Sequence, residues 1–331
     1  MRELADTARQ WAAQGRTGVL ARPVAEQGFG PRRPSDAVLI DEGGHCHGTL
    51  YRGVFDAHLA TEAATLTAGH TARVCAVSVH ADEVRRAGLT CGGQADVLLQ
   101  PLAAIPARWW TLLAEGADAA LITRLDADRT RAVSIVAAPD DGTVPQGPVQ
   151  SVERARELLA RRRAGRETHS TDAGLVLIES FPAVPHLVVA GGGELAELLV
   201  AQAHLLDWRA TVTSTAQDTV KLLADRPAAA CLIVLSHEPD VDIPVLRAAL
   251  TGGVAYVGAL GSRRTQARRA QALTETGLDD THLGRIHGPI GLDLGARTPA
   301  ETALAICAEV LAALDGREVR VLHEESGPTG P

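Results

Sequence analysis

Gly261, Ser262, Arg263 and Arg264 have the residue types and spacing of an anion-binding turn. They follow a short apolar run typical of a buried strand and precede a run typical of a helix. Unpaired backbone N–H groups at a helix start and arginine guanidinium groups both bind phosphate-like anions. The spacing therefore predicts an anion site at this turn. A plain strand-to-helix turn with a solvated basic face is the alternative.

A second glycine-rich stretch follows at residues 285–295, which read Arg-Ile-His-Gly-Pro-Ile-Gly-Leu-Asp-Leu-Gly. Glycine is costly inside a helix or strand, so such clusters mark places where the backbone turns sharply or approaches a ligand. We expect His287, Pro289 and Gly291 to lie beside the anion site.

A third cluster, Gly191-Gly192-Gly193, follows the strand pattern at 184–190 and precedes an amphipathic helix. The pattern Gly-x-Gly-x-x-Ala in this context is typical of a Rossmann-type turn, which holds a pyrophosphate at the helix N-terminus. Two residues argue against an NAD-binding site at this turn. Ser214 stands where an NAD site normally has an acid for the ribose, and Glu194 puts a negative charge in the first helical turn.

Ser236 and His237 follow another strand pattern, at residues 229–235. Ligands of an open parallel sheet bind beyond the carboxyl ends of its strands, so these strand ends should face one crevice. A helix cap or loop role is the alternative for His237. The predicted cofactor-binding residues at this edge are Gly191, Gly193, Ser236, His237, Gly261, Ser262, Arg263, Arg264, His287, Pro289 and Gly291.

The elements that must position these residues indicate two α/β domains. Strands and helices alternate over residues 185–331, which predicts a Rossmann-like, doubly wound parallel-sheet domain. Residues 1–160 combine helical patterns with a hairpin pattern and are predicted to form a mixed α/β domain. Residues 161–184, which begin with an arginine run, are predicted to be a linker. Thr298-Pro299-Ala300-Glu301 predicts a capped helix start.

Composition excludes several classes of protein. The 331 residues carry a formal net charge of -8, which argues against a general nucleic-acid binder or a binder of anionic membranes. No apolar signal core or membrane-spanning run is visible, so a cytoplasmic location is expected. The 5 cysteines are odd in number and widely spaced, which predicts neither disulfides nor a zinc module. No metal site is predicted at His45-Cys46-His47, because successive strand residues face opposite sides.

Taken together, the motifs resemble those of the XdhC/CoxI family of accessory proteins for molybdenum hydroxylases. The likeness covers nearly the whole chain and includes two segments of the first domain. The matching segments are the Gly-x-Gly-x-x-Ala turn, Leu-Ser-His at 235–237, Tyr-Val-Gly-x-Leu-Gly-Ser-Arg-Arg at 256–264, Arg-Ile-His-x-Pro-Ile-Gly-Leu-Asp from 285, Gly30-Pro31-Arg32-Arg33 and Cys91-Gly92-Gly93.

The resemblance implies a factor that binds molybdenum cofactor as cargo and protects it while a cysteine desulfurase supplies its terminal sulfur. The cargo would then pass to the apo-subunits of a hydroxylase of the xanthine dehydrogenase or CO dehydrogenase type. The resemblance also implies a homodimer that acts as a chaperone more than as a turnover enzyme. It adds Arg32 to the cofactor-binding residues and leaves Cys91 as the candidate thiol.

The chain departs from the family pattern at three places. Members usually carry Gly-Gly-Cys-x-Glu after the first hairpin, where this chain has Arg52-Gly53-Val54-Phe55-Asp56. Members often have His where Glu194 stands and Asp where Ser214 stands. Two other functions therefore stay open: an NAD(P)-dependent oxidoreductase, and a scaffold that binds the hydroxylase subunits only.

Overall fold

The chain divides between residues 183 and 184 into two structural units. The structure is a computed structural model, and it describes residues 1–29, 36–66, 71–79, 92–139, 149–317 and 319. None of the helices in these ranges combines the length and the apolar composition that crossing a membrane requires.

The first unit, residues 1–183, contains two antiparallel sheets flanked by helices, as the predicted mixed α/β domain requires. The first sheet has the strand order β3-β2-β1-β5-β4 and the second has the order β7-β6-β9-β8. The strands are β1 (Gly18–Gly28), β2 (Ala37–Asp41), β3 (Cys46–Thr49), β4 (Arg73–Val79), β5 (Gly93–Pro101), β6 (Ala119–Asp126), β7 (Ala132–Ala137), β8 (Gly165–Thr171) and β9 (Gly174–Phe181). The helices are α1 (Arg2–Ala13), α2 (Asp56–Ala64), α3 (Ala107–Ala114) and α4 (Val149–Ala160).

A buried ion pair links β1 of the first sheet to β9 of the second. Arg22 and Glu179 have side chains that are 0% and 1% exposed, and Arg22 Nε lies 3.0 Å from Glu179 Oε2. Arg22 also donates to Gln100 and Thr123, while Arg166 lies 3.1 Å from the other Glu179 oxygen. Charges this deeply buried are tolerated only when they are paired, so each member depends on the others.

Residues 161–184, predicted from the sequence to be a linker, instead contain β8 and β9 of the second sheet. β8 is an edge strand, and its side chains are half-buried or exposed along its whole length. A strand with this exposure needs no apolar alternation, which explains why its polar sequence gave no strand signal.

The second unit begins at residue 184 and has a parallel sheet with the order β11-β10-β12-β13-β14. Its helices cover both faces: α5 and α10 pack on one, and α6, α7 and α8 on the other. The predicted doubly wound parallel sheet is confirmed. The elements are β10 (His186–Ala190), α5 (Glu194–Leu205), β11 (Arg209–Thr213), α6 (Ala216–Asp225), β12 (Ala230–Val234), α7 (Pro239–Thr251), β13 (Tyr256–Ala259), α8 (Arg263–Glu275), α9 (Asp280–Leu283), β14 (Ile286–His287) and α10 (Pro299–Leu314).

The start of α10 follows the predicted cap. The Thr298 side chain accepts a hydrogen bond from Glu301 N, and the Glu301 side chain accepts one from Thr298 N. This reciprocal arrangement satisfies two backbone donors and fixes where the chain enters the helix.

The buried pair of the first unit predicts a large effect of a small substitution. Glu179→Gln removes the charge that neutralises Arg22, so we expect the free energy of unfolding to fall by about 3–5 kcal/mol. The control is Glu157→Gln. The Glu157 side chain is 40% exposed, so its ion pairs should contribute only about 0–1 kcal/mol to the free energy of unfolding. Urea unfolding followed by tryptophan fluorescence measures both variants, and equal losses would contradict the role of the buried pair.

Candidate functional site

The order of the parallel sheet creates a binding position between β10 and β12. The helices that follow these two strands, α5 and α7, leave toward opposite faces of the sheet, so the loops diverge at the carboxyl ends of the strands. Ser236 N donates to Ala190 O at 3.1 Å, which brings the two loops into contact. Among the predicted site residues, Gly191 and Ser236 are thereby placed side by side.

Gly191 is required at this contact. Its φ is +121°, and a Cβ added there would lie 2.8 Å from Ser236 N. A Cβ on Gly192 or Gly193 would meet nothing within 4 Å, so the space above the start of α5 is open. The first turn of α5 carries two acidic residues, Glu194 and Glu197, which place negative charge near this end of the helix. Such carboxylates favour the helix dipole but repel a phosphate.

The start of α8 has the opposite charge. Ser262 is its N-cap, and the Ser262 hydroxyl accepts from Thr265 N at 3.3 Å. The first turn contains no acidic residue and begins with Arg263 and Arg264, which are both exposed. Within the described part of the chain, neither guanidinium group has a hydrogen-bond or ion-pair partner. The turn that the sequence predicts is therefore present, and both arginines are available to a ligand.

Arg269, on the same helix, has a different role from its exposed neighbours. It is only 5% exposed, and its guanidinium donates to Asp242 Oδ2 at 2.6 and 2.9 Å. It also donates to Ser236 O at 2.8 Å and to Leu260 O at 2.6 Å. One buried side chain thus ties α7 and α8 to the loops that follow β12 and β13.

Gln266 joins the β13 loop to the loop that follows β14. Its amide donates to Ala259 O at 2.8 Å, and a Cβ added at Gly288 would lie 2.7 Å from Gln266 Cδ. The backbone of Gly288 therefore packs directly against this amide. The Gly288-Pro289 peptide bond is cis.

Glu309 of α10 holds the other side of the same loop. Its carboxylate accepts from Tyr256 Oη at 2.7 Å, from Gly291 N at 2.7 Å and from His287 Nδ1 at 3.0 Å. Burial raises the pKa of the Glu309 carboxyl, but the hydrogen bonds from His287, Tyr256 and Gly291 outweigh it and leave the pKa below its usual value. Burial and the carboxylate together raise the pKa of the Tyr256 hydroxyl.

The residues that anchor these loops were not predicted from the sequence to have this role. They are Asp242, Tyr256, Gln266, Arg269 and Glu309. A sequence signal for Arg269 was present, because it lies four residues before Leu273, a spacing that puts both side chains on one face of a helix. The predicted His237 is exposed and follows Ser236, whose hydroxyl accepts from Glu238 N at 3.1 Å.

Two predicted site residues, Arg32 and Cys91, lie outside the described residues. The glycines that follow Cys91 have a packing reason of their own. Gly92 O accepts from Phe29 N at 3.0 Å, and a Cβ at Gly93 would lie 2.7 Å from the Phe29 ring. The two glycines of this family motif are therefore explained by packing against Phe29.

Val54, which stands where family members usually have a cysteine, is 37% exposed. Arg52 precedes it with a φ of +57°, a conformation that favours glycine, so the turn is kept although the first glycine is lost. Burial raises the pKa of the Asp56 carboxyl that follows. At the NAD-type position, Ser214 is the first residue after β11 and is exposed.

The described cysteines are poorly suited to sulfur chemistry. Burial raises the pKa of the Cys75 and Cys307 thiols to about 11. Burial, together with the charges of Asp56 and Asp41, raises the pKa of Cys46 to about 11 as well. Cys231 is fully buried in β12. Because the thiolate is the reactive form, these side chains are weak nucleophiles near neutral pH.

His45 and His47 both face Asp41, at 3.2 and 3.8 Å, whereas the Cys46 thiol donates to Asp56 O. Backbone N–H groups of Gly43 and His45 already engage the Asp41 carboxylate. Across the ranges that the structure describes, no group of three or more His, Cys, Asp or Glu side chains is arranged to hold a metal ion.

Two family models match the chain, one in each structural unit. Residues 11–78 match the model of the XdhC and CoxI family, and residues 187–310 match the model of the XdhC Rossmann domain. Together the two segments cover more than half of the chain.

The chain is similar to two curated proteins of Escherichia coli. It is 25% identical over 222 residues to the uncharacterized protein YqeB, and this match covers 57% of this chain and 41% of YqeB. It is 36% identical over 100 residues to the molybdenum cofactor insertion chaperone PaoD, and this match covers 30% of each protein. The chain thus spans less than half the length of either relative.

A crystal structure of a Bacillus halodurans protein described as a xanthine dehydrogenase has the same fold. The TM-score is 0.59 at 20% identity, and the superposition covers 99% of this chain and 98% of the other. At this identity the likeness concerns the fold alone. The matches of both units to family models, together with the motifs at the carboxyl edge of the parallel sheet, show that the chain belongs to the XdhC and CoxI family.

Proposed function

We propose that this protein binds molybdenum cofactor as cargo and assists its insertion into a molybdenum hydroxylase. Membership of the XdhC and CoxI family and the similarity to a molybdenum cofactor insertion chaperone support this function. The observation that carries it is the contrast between two helix starts. At α8, Arg263 and Arg264 are exposed and have no partner among the described residues, whereas acidic residues occupy the first turn of α5.

The residues present fit a phosphate-bearing ligand. Backbone N–H groups at the capped start of α8 and two guanidinium groups offer donors and positive charge, which a phosphate needs. The open space above Gly192 and Gly193, at the end of β10, leaves further room along the same edge of the sheet. We therefore place the phosphate of the cargo at α8 and the rest of the ligand along the carboxyl edge of the sheet.

Sulfuration of the cargo would precede its transfer. In this proposal a cysteine desulfurase supplies the sulfur, and the apo-subunits of a xanthine dehydrogenase or CO dehydrogenase type enzyme receive the cofactor. We also propose a cytoplasmic homodimer. Cys91 is the remaining candidate for a thiol that takes part, since Val54 replaces the usual family cysteine and the four described cysteines are buried or half-buried.

An NAD(P)-dependent oxidoreductase is the second candidate, because Gly191 and the open start of α5 have the geometry of a dinucleotide turn. Ser214 offers no carboxylate to a ribose, and Glu194 opposes a phosphate at α5. A scaffold that only captures hydroxylase subunits is the third candidate, and it requires neither arginine.

The arginines give the test. We expect Arg263→Ala and Arg264→Ala each to weaken cofactor binding by roughly 1–3 kcal/mol, or about 5- to 150-fold, if each donates to a phosphate. The control is Arg247→Ala, which removes an equal exposed charge eight residues into α7. Anaerobic titration of the purified protein measures the affinities for molybdenum cofactor, NAD and NADP in parallel. Saturable binding of NAD or NADP alone would favour the oxidoreductase, and unchanged cofactor affinity in both variants would exclude the phosphate role.

Arg269 should control affinity without touching the ligand. In Arg269→Lys, an ammonium group can still pair with Asp242 but cannot reach Ser236 O and Leu260 O together. We expect faster amide hydrogen exchange at residues 235–238 and 260–262 and a cofactor affinity at least fivefold lower. Arg268→Lys, at the exposed neighbouring position, should change neither. Faster exchange with unchanged affinity would show that these loops do not form the site.

The thiols give a chemical test of the sulfuration proposal. At pH 7.5 we expect iodoacetamide to leave Cys46, Cys75, Cys231 and Cys307 largely unmodified in the native protein, because their thiols are buried or have a raised pKa. Modification of Cys46, Cys75 and Cys307 should increase only as the pH approaches about 11. Peptide mass spectrometry measures each site. Rapid modification of Cys46 at neutral pH would instead make it the candidate thiol in place of Cys91.

A further inference from the structure

Glu309 determines which nitrogen of His287 carries a proton. The Glu309 carboxylate accepts three hydrogen bonds, and its pKa is held below the usual value by these donors against the effect of burial. An ionised carboxylate only accepts, so His287 Nδ1 must donate. In the neutral ring Nε2 then carries the lone pair and is an acceptor.

His287 is fixed on its other sides as well. The ring of Tyr256 covers one face of the imidazole, with 4.5 Å between the ring centroids and 30° between the planes. The Tyr256 hydroxyl is itself held by Glu309 at 2.7 Å. Both side chains and the Gly291 amide therefore converge on one carboxylate, and the imidazole cannot rotate without breaking this arrangement.

Nε2 is the part of His287 that this arrangement leaves open. The His287 side chain is 38% exposed, and within the described ranges no donor or acceptor engages Nε2. His287 ends β14, the edge strand of the sheet, and Gly288 and Pro289 follow directly. A rigid acceptor thus stands at the start of the loop that the sequence motif marks.

We propose that His287, held by Glu309 and Tyr256 as the Nδ1–H tautomer, uses Nε2 to accept a hydrogen bond from an N–H donor of the bound ligand. This inference rests on the proposed function, and it names the part of the ligand that is recognised. At neutral pH a phosphate ester is mainly the dianion, whose oxygens accept hydrogen bonds, so arginine donors bind it. A pterin ring carries N–H and amino donors, so His287 recognises the ring end of the cargo, and Glu309 and Tyr256 are positioning residues.

The first test needs no ligand. In protein labelled with ¹⁵N-histidine at neutral pH, NMR correlation of the ring nitrogens should show the neutral His287 as the Nδ1–H tautomer. Free histidine prefers the other tautomer, so the observation is specific to the Glu309 contact. Glu309→Gln should shift the tautomer balance toward Nε2–H, and Tyr256→Phe should leave it unchanged because Nδ1 keeps its acceptor. An Nε2–H tautomer in the unmodified protein would overturn the inference.

The second test separates the two ring nitrogens. His287→Asn keeps a donor near the Nδ1 position, whereas His287→Gln places a polar group near the Nε2 position. We expect His287→Asn to weaken the binding of molybdenum cofactor at least tenfold while leaving inorganic pyrophosphate binding unchanged, and His287→Gln to lose less. Thermal unfolding checks that both variants fold.

The outcomes distinguish this inference from the proposed function. If His287→Asn binds the cofactor as the unmodified protein does, while Arg263→Ala still weakens it, the inference is overturned and the proposed function stands. If the unmodified protein binds pyrophosphate but no cofactor, both are overturned.

Discussion

The buried guanidinium of Arg269 is the interaction on which the candidate site depends. The loops that follow β12 and β13 lead into different helices, α7 and α8, and they need a tie between them to keep a fixed spacing. Arg269 bonds to a carbonyl of each, at Ser236 and Leu260, and is itself neutralised by Asp242. A buried charge with several fixed partners is costly to displace, so it makes the loop geometry rigid.

Glu309 has a similar anchoring role on the other side of β13, where it bonds His287 and Gly291. In both cases a charged side chain of the helix that follows the loop forms hydrogen bonds with backbone and side-chain groups near the strand ends. Among the described residues, Arg263 and Arg264 have no internal partner and remain available as donors, and His287 Nε2 remains available as an acceptor. Anchoring by the buried residues thus leaves the exposed ones available to a ligand.

The sequence was sufficient to place the strand ends and turns but not the anchors. The Gly261-Ser262 turn, the start of α5 and the capping box of α10 follow from local rules, because each involves residues within about one helical turn. Arg269 and Asp242 are 27 residues apart, and His287 and Glu309 are 22 apart. Such pairs form only once the sheet order is set, which local patterns do not give.

The first unit shows the same limit in another form. β8 lacked an apolar signal since it lies at an edge, and the Arg22–Glu179 pair joins strands far apart in sequence. The family motifs nevertheless pointed to the correct family, because they lie at turns where backbone geometry restricts the residue type.

The most direct measurement is anomalous diffraction at the molybdenum absorption edge from crystals of the protein with its cargo. We expect a molybdenum peak in the second unit, at the carboxyl edge of the parallel sheet, with phosphate density against Arg263 and Arg264. A peak in the first unit, or phosphate density at the start of α5, would contradict it.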